Sequence, residues 1–189
     1  IRDGDVFQVV LSQQFRTEVS ASALEVYRVL RQLNPSPYMY LLECETAQGI
    51  PYQVVGSSPE ALVTIHQTRV VSHPIAGSRP RGATAEEDAT FAQSLLSDAK
   101  EQSEHLMLVD LARNDLSKVS EAGSVEVTEF MQVERFSHIM HLVSTVEGRL
   151  REGASSVDVF EATFPAGTLS GAPKPRALAI IDDLEPVQR

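Results

Sequence analysis

The sequence predicts an α+β fold, on three observations. Helix starts are signed by a capping residue followed three positions later by glutamate: Ser22 with Glu25, Thr84 with Glu87, Asp98 with Glu101. Around them run segments with two-residue alternation or continuous apolar character, which read as strands. The helices do not alternate one for one with those strands, which argues against a parallel βαβ array.

Taken in order, Val6 to Phe15 alternates, with Phe7, Val9, Leu11 and Phe15 on one face and Gln8, Ser12 and Gln14 largely on the other. That pattern predicts a strand with one polar face. The box at Ser22 opens a helix carrying Ala23, Val26, Tyr27, Leu30 and Leu33 on one stripe, and Asn34-Pro35-Ser36-Pro37 stops it. Tyr38 to Cys44 reads as a buried strand, a turn falls at Gln48-Gly49, and a second strand follows around Gln53 to Gly56. Ala61 to Ile65 and Arg69 to His73 read as a hairpin, and Ile75 to Gly82 as a loop. Thr84 caps one helix and Asp98 a longer one, over Ala99 to Val119, with Leu108, Leu111, Ala112 and Leu116 among its apolar positions. Val125 to Phe136 and Ile139 to Leu150 read as strands, the second apolar on both faces and so central. A short helix over Ser156 to Thr163 leads into a glycine-rich loop.

Length and charge narrow the function. The chain has 189 residues, 42% of them hydrophobic, and a formal net charge of −10. That length supports a domain with a real core, and that charge disfavours nucleic acid and anionic membranes as partners. An anionic substrate would need local cations, helix N-termini or a metal to offset the field. The lone cysteine, Cys44, rules out an internal disulfide and fits a cytoplasmic location. No apolar run approaches a membrane span, and no signal peptide opens the chain. The start at Ile1, already leading into a strand, suggests a piece of something longer.

The loop from Phe164 to Lys174 carries Ala166-Gly167-Thr168 and Ser170-Gly171-Ala172, then Pro173 ahead of a helix marked by Ala177, Ile180, Ile181 and Leu184. A helix N-terminus behind small residues and hydroxyls can cradle a carboxylate or phosphate. A plain tight turn into a core helix accounts for the same loop equally well. The Walker spacing is absent. Five histidines lie scattered without zinc spacing, and Glu101 with His105 reads as an exposed helical pair. Glu104, at the edge of the same helix's apolar face, is a solvated rim residue or a hard-cation ligand. Glu60 follows a turn, and His141 sits in the apolar strand, where a satisfied core histidine is the bland alternative to a catalytic one.

Several long stretches together resemble the chorismate-utilising enzymes, and among them the anthranilate synthase large subunits. They are D-V-F-Q-V-V-L-S-Q (5–13), N-P-S-P-Y-M (34–39), G-S-S-P-E (56–60) and P-I-A-G-S-R-P-R-G (74–82). E-H-L-M-L-V-D-L-A-R-N-D-L (104–116), V-E-R-F-S-H-I-M-H-L-V-S (133–144) and G-T-L-S-G-A-P-K (167–174) follow in the same order. The resemblance covers essentially the whole chain. It implies two antiparallel sheets packed face to face with flanking helices, with 1–189 as the central part of a chorismate-binding catalytic domain that lacks its N-terminal region and C-terminal end. It also implies Mg²⁺, chorismate as substrate and a glutamine amidotransferase partner as the ammonia source.

Carried over by position, the resemblance makes Glu104 a Mg²⁺ ligand and Glu60 the general acid on the departing C4 hydroxyl. His141 becomes an active-site histidine, Gly77 and Ser78 a substrate-contacting pair, and Gly167 and Thr168 the pocket floor. Pro37, Tyr38 and Met39 match part of a tryptophan feedback pocket. Two positions separate family members. Gln8 stands where water-adding relatives carry a lysine base, and Ala76 where aminodeoxychorismate synthases carry a nucleophilic lysine; both point to an ammonia-using anthranilate synthase. The alternatives are an aminodeoxychorismate or isochorismate/salicylate synthase relative, or a non-catalytic binding or regulatory module. With Glu104 as its one matched Mg²⁺ ligand, the 189-residue chain is expected to be inactive on its own.

Overall fold

The elements run in the order β1 (Gln8–Val9), α1 (Ala23–Leu33), β2 (Tyr38–Glu45), β3 (Pro51–Ser58), β4 (Thr64–His66), β5 (Arg69–Ser72) and β6 (Ile75–Pro80). They continue with α2 (Ala85–Ser97), α3 (Ala99–Ser117), β7 (Glu126–Arg135), β8 (Ile139–Arg149), α4 (Ser156–Thr163), α5 (Gly167–Ser170), β9 (Gly171–Ala172) and α6 (Lys174–Leu184). This computed structural model describes residues 1–187. All strand pairs in it are antiparallel, which places the chain in the α+β class that the sequence predicts. Two compact units emerge: Ile1–Ser12 with the chain from Leu62 onward, and Gln13–Ala61.

The larger unit is built on β8. One edge of β8 pairs with β7; the other is shared end to end by β5, opposite residues 146–149, and β6, opposite residues 139–143. Pro74 breaks the run between β5 and β6, yet its carbonyl still accepts the Ser144 N–H at 3.1 Å. Met140, Leu142 and Val146 lie on one face of β8 and are fully buried against α2 and α3, through Ala92 and Leu95 at one end and Val109 and Leu116 at the other. Each such side chain contributes on the order of 1.5–3 kcal/mol by leaving water. The opposite face carries His141, Val143 and Thr145, because side chains alternate along a strand. The apolar character on both faces thus marks a strand covered on both, as predicted.

Three expectations are corrected. Ile75–Pro80 is a strand, not a loop. Its glycine and its proline are tolerated because β6 pairs along one side only and bulges at Gly77, between Ala76 opposite Leu142 and Ser78 opposite His141. The strand expected over Val6–Phe15 shrinks to β1, since its partner β9 is two residues long; Phe7, Leu11 and Phe15 are exposed and Val6 is the buried residue. The strand over Tyr38–Cys44 forms as β2, paired with β3 over its whole length, but it is not buried, and Tyr38, Tyr40 and Leu42 face solvent.

In the smaller unit α1 has the predicted capping box at Ser22 and stops at Asn34. Ser57 on β3 ties down that stop, its hydroxyl 2.9 Å from the Asn34 carbonyl and 2.9 Å from Ser36 Oγ. No residue of α1 is buried.

Candidate functional site

Helix α3 links most of the predicted site residues of the larger unit. Asp98 starts it, accepting from the Lys100 and Glu101 N–H groups at 3.0 and 3.2 Å. Those bonds and the Arg79 guanidinium, 2.9 Å away, hold the Asp98 carboxyl below the usual carboxylate range. One turn on, Glu101 reaches Gly77: a side chain on that glycine would meet Glu101 Oε2 at 3.0 Å, and the Gly77 φ of +71° already favours glycine. Leu111, further along, packs so closely on Gly167 that a methyl there would overlap its Cδ2. Glu104 is half-buried, seven residues before Leu111 and hence on the same side of the helix, about 10 Å along the axis.

His141 joins this wall through Gly77. Its Nδ1 lies 3.1 Å from the Gly77 carbonyl, which can only accept, so Nδ1 carries a proton, and in the neutral ring the lone pair falls on Nε2. Phe136 packs edge-on against the ring, with centroids 5.7 Å apart and planes at 63°. Ser78, the residue paired with His141, is exposed on the same face of the sheet. Ala76 is buried opposite Leu142, a position where its methyl fills the core and no nucleophile is offered.

The glycine-rich loop turns out to be anchored by packing. Gly167 admits Leu111, while Gly171, at φ +134°, admits the Gln8 carbonyl, which would stand 2.2 Å from an added Cβ. Both glycines are thus accounted for by close approach of the chain itself. Lys174 is spent as well: its Nζ lies 2.6 Å from Asp115 Oδ2 and 3.1 Å from the Thr163 carbonyl. Thr168 is exposed at this turn. Through β1 and β9 the same loop sets Gln8 opposite Ala172, with the Gln8 carboxamide oxygen buried and unpartnered.

The remaining predicted residues belong to the smaller unit. Glu60 is exposed just past β3, in a turn closed by the Ser58 hydroxyl, which donates to the Glu60 carbonyl at 2.8 Å. Pro37 and Tyr38 are exposed at the head of β2, and Met39 is half-buried opposite Ser57. Glu101 and His105 do not form the expected exposed pair. Glu101 faces Arg79 at 3.6 Å, and His105 is fully buried with Nε2 2.6 Å from Ser144 Oγ, its pKa lowered by burial. Sequence reasoning also missed Asp88, a buried carboxylate gripped by Arg81 and Arg135. Arg81 first, then the Gly82 N–H, hold its carboxyl well below the ordinary range. The P-R-G that contains Arg81 was visible, but the two arginines that grip Asp88 lie 7 and 47 residues from it along the chain.

A magnesium ion would find little here. Glu104 is one half-buried carboxylate, and among the described residues no three His, Cys, Asp or Glu are grouped to hold a metal. Hard divalent cations take six or more oxygens, normally from more than one carboxylate. The residues present do not make that site.

A family model described as chorismate binding enzyme matches residues 1–189. Anthranilate synthase component 1 of Arthrobacter globiformis is 66% identical over 189 residues, covering all of this chain and 36% of that protein. The crystal structure of anthranilate synthase component I from Streptococcus pneumoniae superposes with a TM-score of 0.80 at 48% identity, over 98% of this chain and 39% of that one. A putative 2,3-dihydroxybenzoate-specific isochorismate synthase from Bacillus anthracis gives 0.74 at 28% identity, over 100% of this chain and 50% of that one. The chain thus spans little more than a third of the length of the curated relatives it matches. Among the described residues no helix is long and apolar enough to cross a membrane.

Proposed function

The chain belongs to the chorismate binding enzyme family, and we propose that the protein it forms part of converts chorismate and ammonia to anthranilate and pyruvate, as a cytoplasmic step of tryptophan biosynthesis. The observation that carries this reading is the 66% identity to an anthranilate synthase component 1 across every residue of the chain. Its ammonia would come from a glutamine amidotransferase partner. The geometry of two positions supports an ammonia-using member. Gln8 offers a buried acceptor oxygen to an N–H donor and has no basic nitrogen with which to deprotonate water. Ala76 offers no nucleophile.

The chemistry balances as one substitution and one elimination. Ammonia adds at C2 and the C4 hydroxyl departs as water, with Glu60 donating the proton. Loss of the C2 proton and of the C3 enolpyruvyl group as pyruvate then aromatises the ring. His141, with Nδ1 committed to Gly77, has Nε2 free to take a proton. Ser78, Gly77, Gly167 and Thr168 line the substrate's side of α3, and Pro37, Tyr38 and Met39 contribute to a tryptophan-sensing surface. Magnesium would supply charge neutralisation of a substrate carboxylate, with Glu104 as this chain's contribution to a site that needs further oxygen ligands.

The test is to express the whole reading frame and supply chorismate, ammonium and magnesium. Anthranilate fluorescence with equimolar pyruvate is expected, and isochorismate or aminodeoxychorismate as the product overturns the reading. In the same protein Gln8→Lys should yield some hydroxylated product, detected by chromatography; its complete absence counts against the role given to Gln8. The 189-residue chain by itself should give no steady turnover.

A further inference from the structure

His141 can act only if its ring is held, and the ring's packing partner is itself poorly buried. Phe136 is 44% exposed, in the turn between β7 and β8, so core packing does not fix it. What fixes it is an ionic clamp. Asp88, on the first turn of α2, accepts on Oδ1 from Arg81 Nε at 2.6 Å and the Gly82 N–H at 3.0 Å. On Oδ2 it accepts from Arg81 Nη2 at 3.2 Å and Arg135 Nε at 3.0 Å. Arg81 spends its remaining arm on the turn: Nη1 donates to the Phe136 carbonyl at 2.7 Å, and its main-chain N–H to the His138 carbonyl at 3.4 Å. Arg135 ties down the residue before Phe136, and the Phe136 N–H closes the turn on the Ile139 carbonyl at 2.8 Å. The planar guanidinium of Arg81 holds both Asp88 oxygens through Nε and Nη2 and reaches the Phe136 carbonyl through Nη1, a fixed fork of three nitrogens that the single Nζ of a lysine does not present.

We propose that Asp88, acting through Arg81 and Arg135, is a positioning group for His141: it fixes the β7–β8 turn so that Phe136 holds the imidazole with Nδ1 on Gly77 and Nε2 free. The Arg81 and Arg135 side chains are 33% and 44% exposed, and ion pairs open to solvent add little stability, so a role in orientation explains the cluster better than a role in stability alone. The catalytic consequence rests on the reading of His141 as the proton-moving group; the orientation itself does not.

The experiment uses the protein from the whole reading frame, labelled with ¹⁵N-histidine. Wild type should show His141 as a single Nδ1–H tautomer. Arg81→Lys keeps a cation beside Asp88 but loses the arm to Phe136, and Phe136→Leu removes the ring and leaves the clamp. Each should make the second tautomer visible and lower kcat about tenfold with KM for chorismate nearly unchanged. Phe136 is half-exposed, so its leucine variant should keep the fold. An unchanged His141 tautomer in that variant overturns the proposal whatever the arginine variant does. If the wild-type protein makes no anthranilate, the proposed function falls and the tautomer measurement still decides this inference.

Discussion

Helices α1 and α3 start for the same local reason and end in opposite circumstances. Each has a side-chain cap on its first turn, Ser22 in one and Asp98 in the other. The sequence of α1 is the more sharply amphipathic to the eye, with an apolar stripe from Ala23 to Leu33. Yet no residue of α1 is fully buried: along the stripe Ala23, Tyr27 and Leu30 are half-buried, and Val26 and Leu33 stand at 40% and 79% exposure. In α3 His105, Leu108, Val109, Asp115 and Leu116 are all buried, two of them polar. Caps decide where a helix begins; whether its stripe is buried depends on a surface elsewhere in the chain. For α3 that surface is the sheet, where Val146 of β8 and Val70 of β5 pack with Val109 and Leu116. The buried histidine and aspartate of α3 have partners of their own, Ser144 on β8 and Lys174 on α6.

The comparison breaks most visibly by truncation. Leu116→Ala deletes a fully buried side chain packed among Val70, Val109, Val146 and Val159, and should cost about 2–5 kcal/mol in urea unfolding. Leu33→Ala in α1 should stay within about 0.5 kcal/mol. Equal losses would mean that α1 is packed in solution against something of its own. Next in size is Lys174→Met, which leaves Asp115 with Lys118 as its one cation, at 2.8 Å. Stripping one partner from a buried pair costs about 3–5 kcal/mol; with Lys118 retained and Lys174 11% exposed at its side chain, about 1–3 kcal/mol is expected by the same measurement.

What was legible in the sequence follows the same division. Capping at Ser22, Thr84 and Asp98, the stop at Asn34, the centrality of β8 and the short helix α4 depend on residues a few positions apart, or on a strand's own composition, and all were predicted. β6 was not, because Gly77 and Pro80 read as loop chemistry until the bulge and one-sided pairing are known. The exposure of Phe7, Leu11 and Tyr40 was equally hidden, since alternation reveals a strand's two faces but not what covers them. At the candidate site, resemblance supplied the residue names. The contacts that organise them, Glu101 on Gly77, Leu111 on Gly167 and Asp88 between two arginines, bridge 7 to 56 positions, and nothing local announces them.

Helix α2 gives an intermediate case, and acid tests it. Asp88 ionises more readily in the folded protein than in the unfolded chain, held first by Arg81. Its folded pKa is depressed, so its contribution to stability is complete above the ordinary aspartate range and is lost as pH falls from about 4 toward the lower folded value. Asp88→Asn should therefore flatten the fall in thermal midpoint between about pH 4 and pH 2 relative to wild type. An identical slope in both proteins would show that the clamp does not form.

The smallest effect should come from Ser22→Ala, and it isolates the local half of the comparison. Ser22 Oγ accepts the Glu25 N–H at 3.3 Å, while Glu25 Oε2 accepts the Ser22 N–H at 2.8 Å. The Ser22 N–H first, and then the Ser22 hydroxyl 2.8 Å from the same oxygen, hold the Glu25 carboxyl below its usual value, although both residues are exposed. Losing a capping hydroxyl costs about 0.5–2 kcal/mol of helix stability. Because no residue of α1 is fully buried, that loss should stay in α1: amide exchange over residues 23–27 should speed up several-fold while exchange in α3 and β8 holds steady. An equal rise in β8 would couple the two units and remove the contrast between the helices.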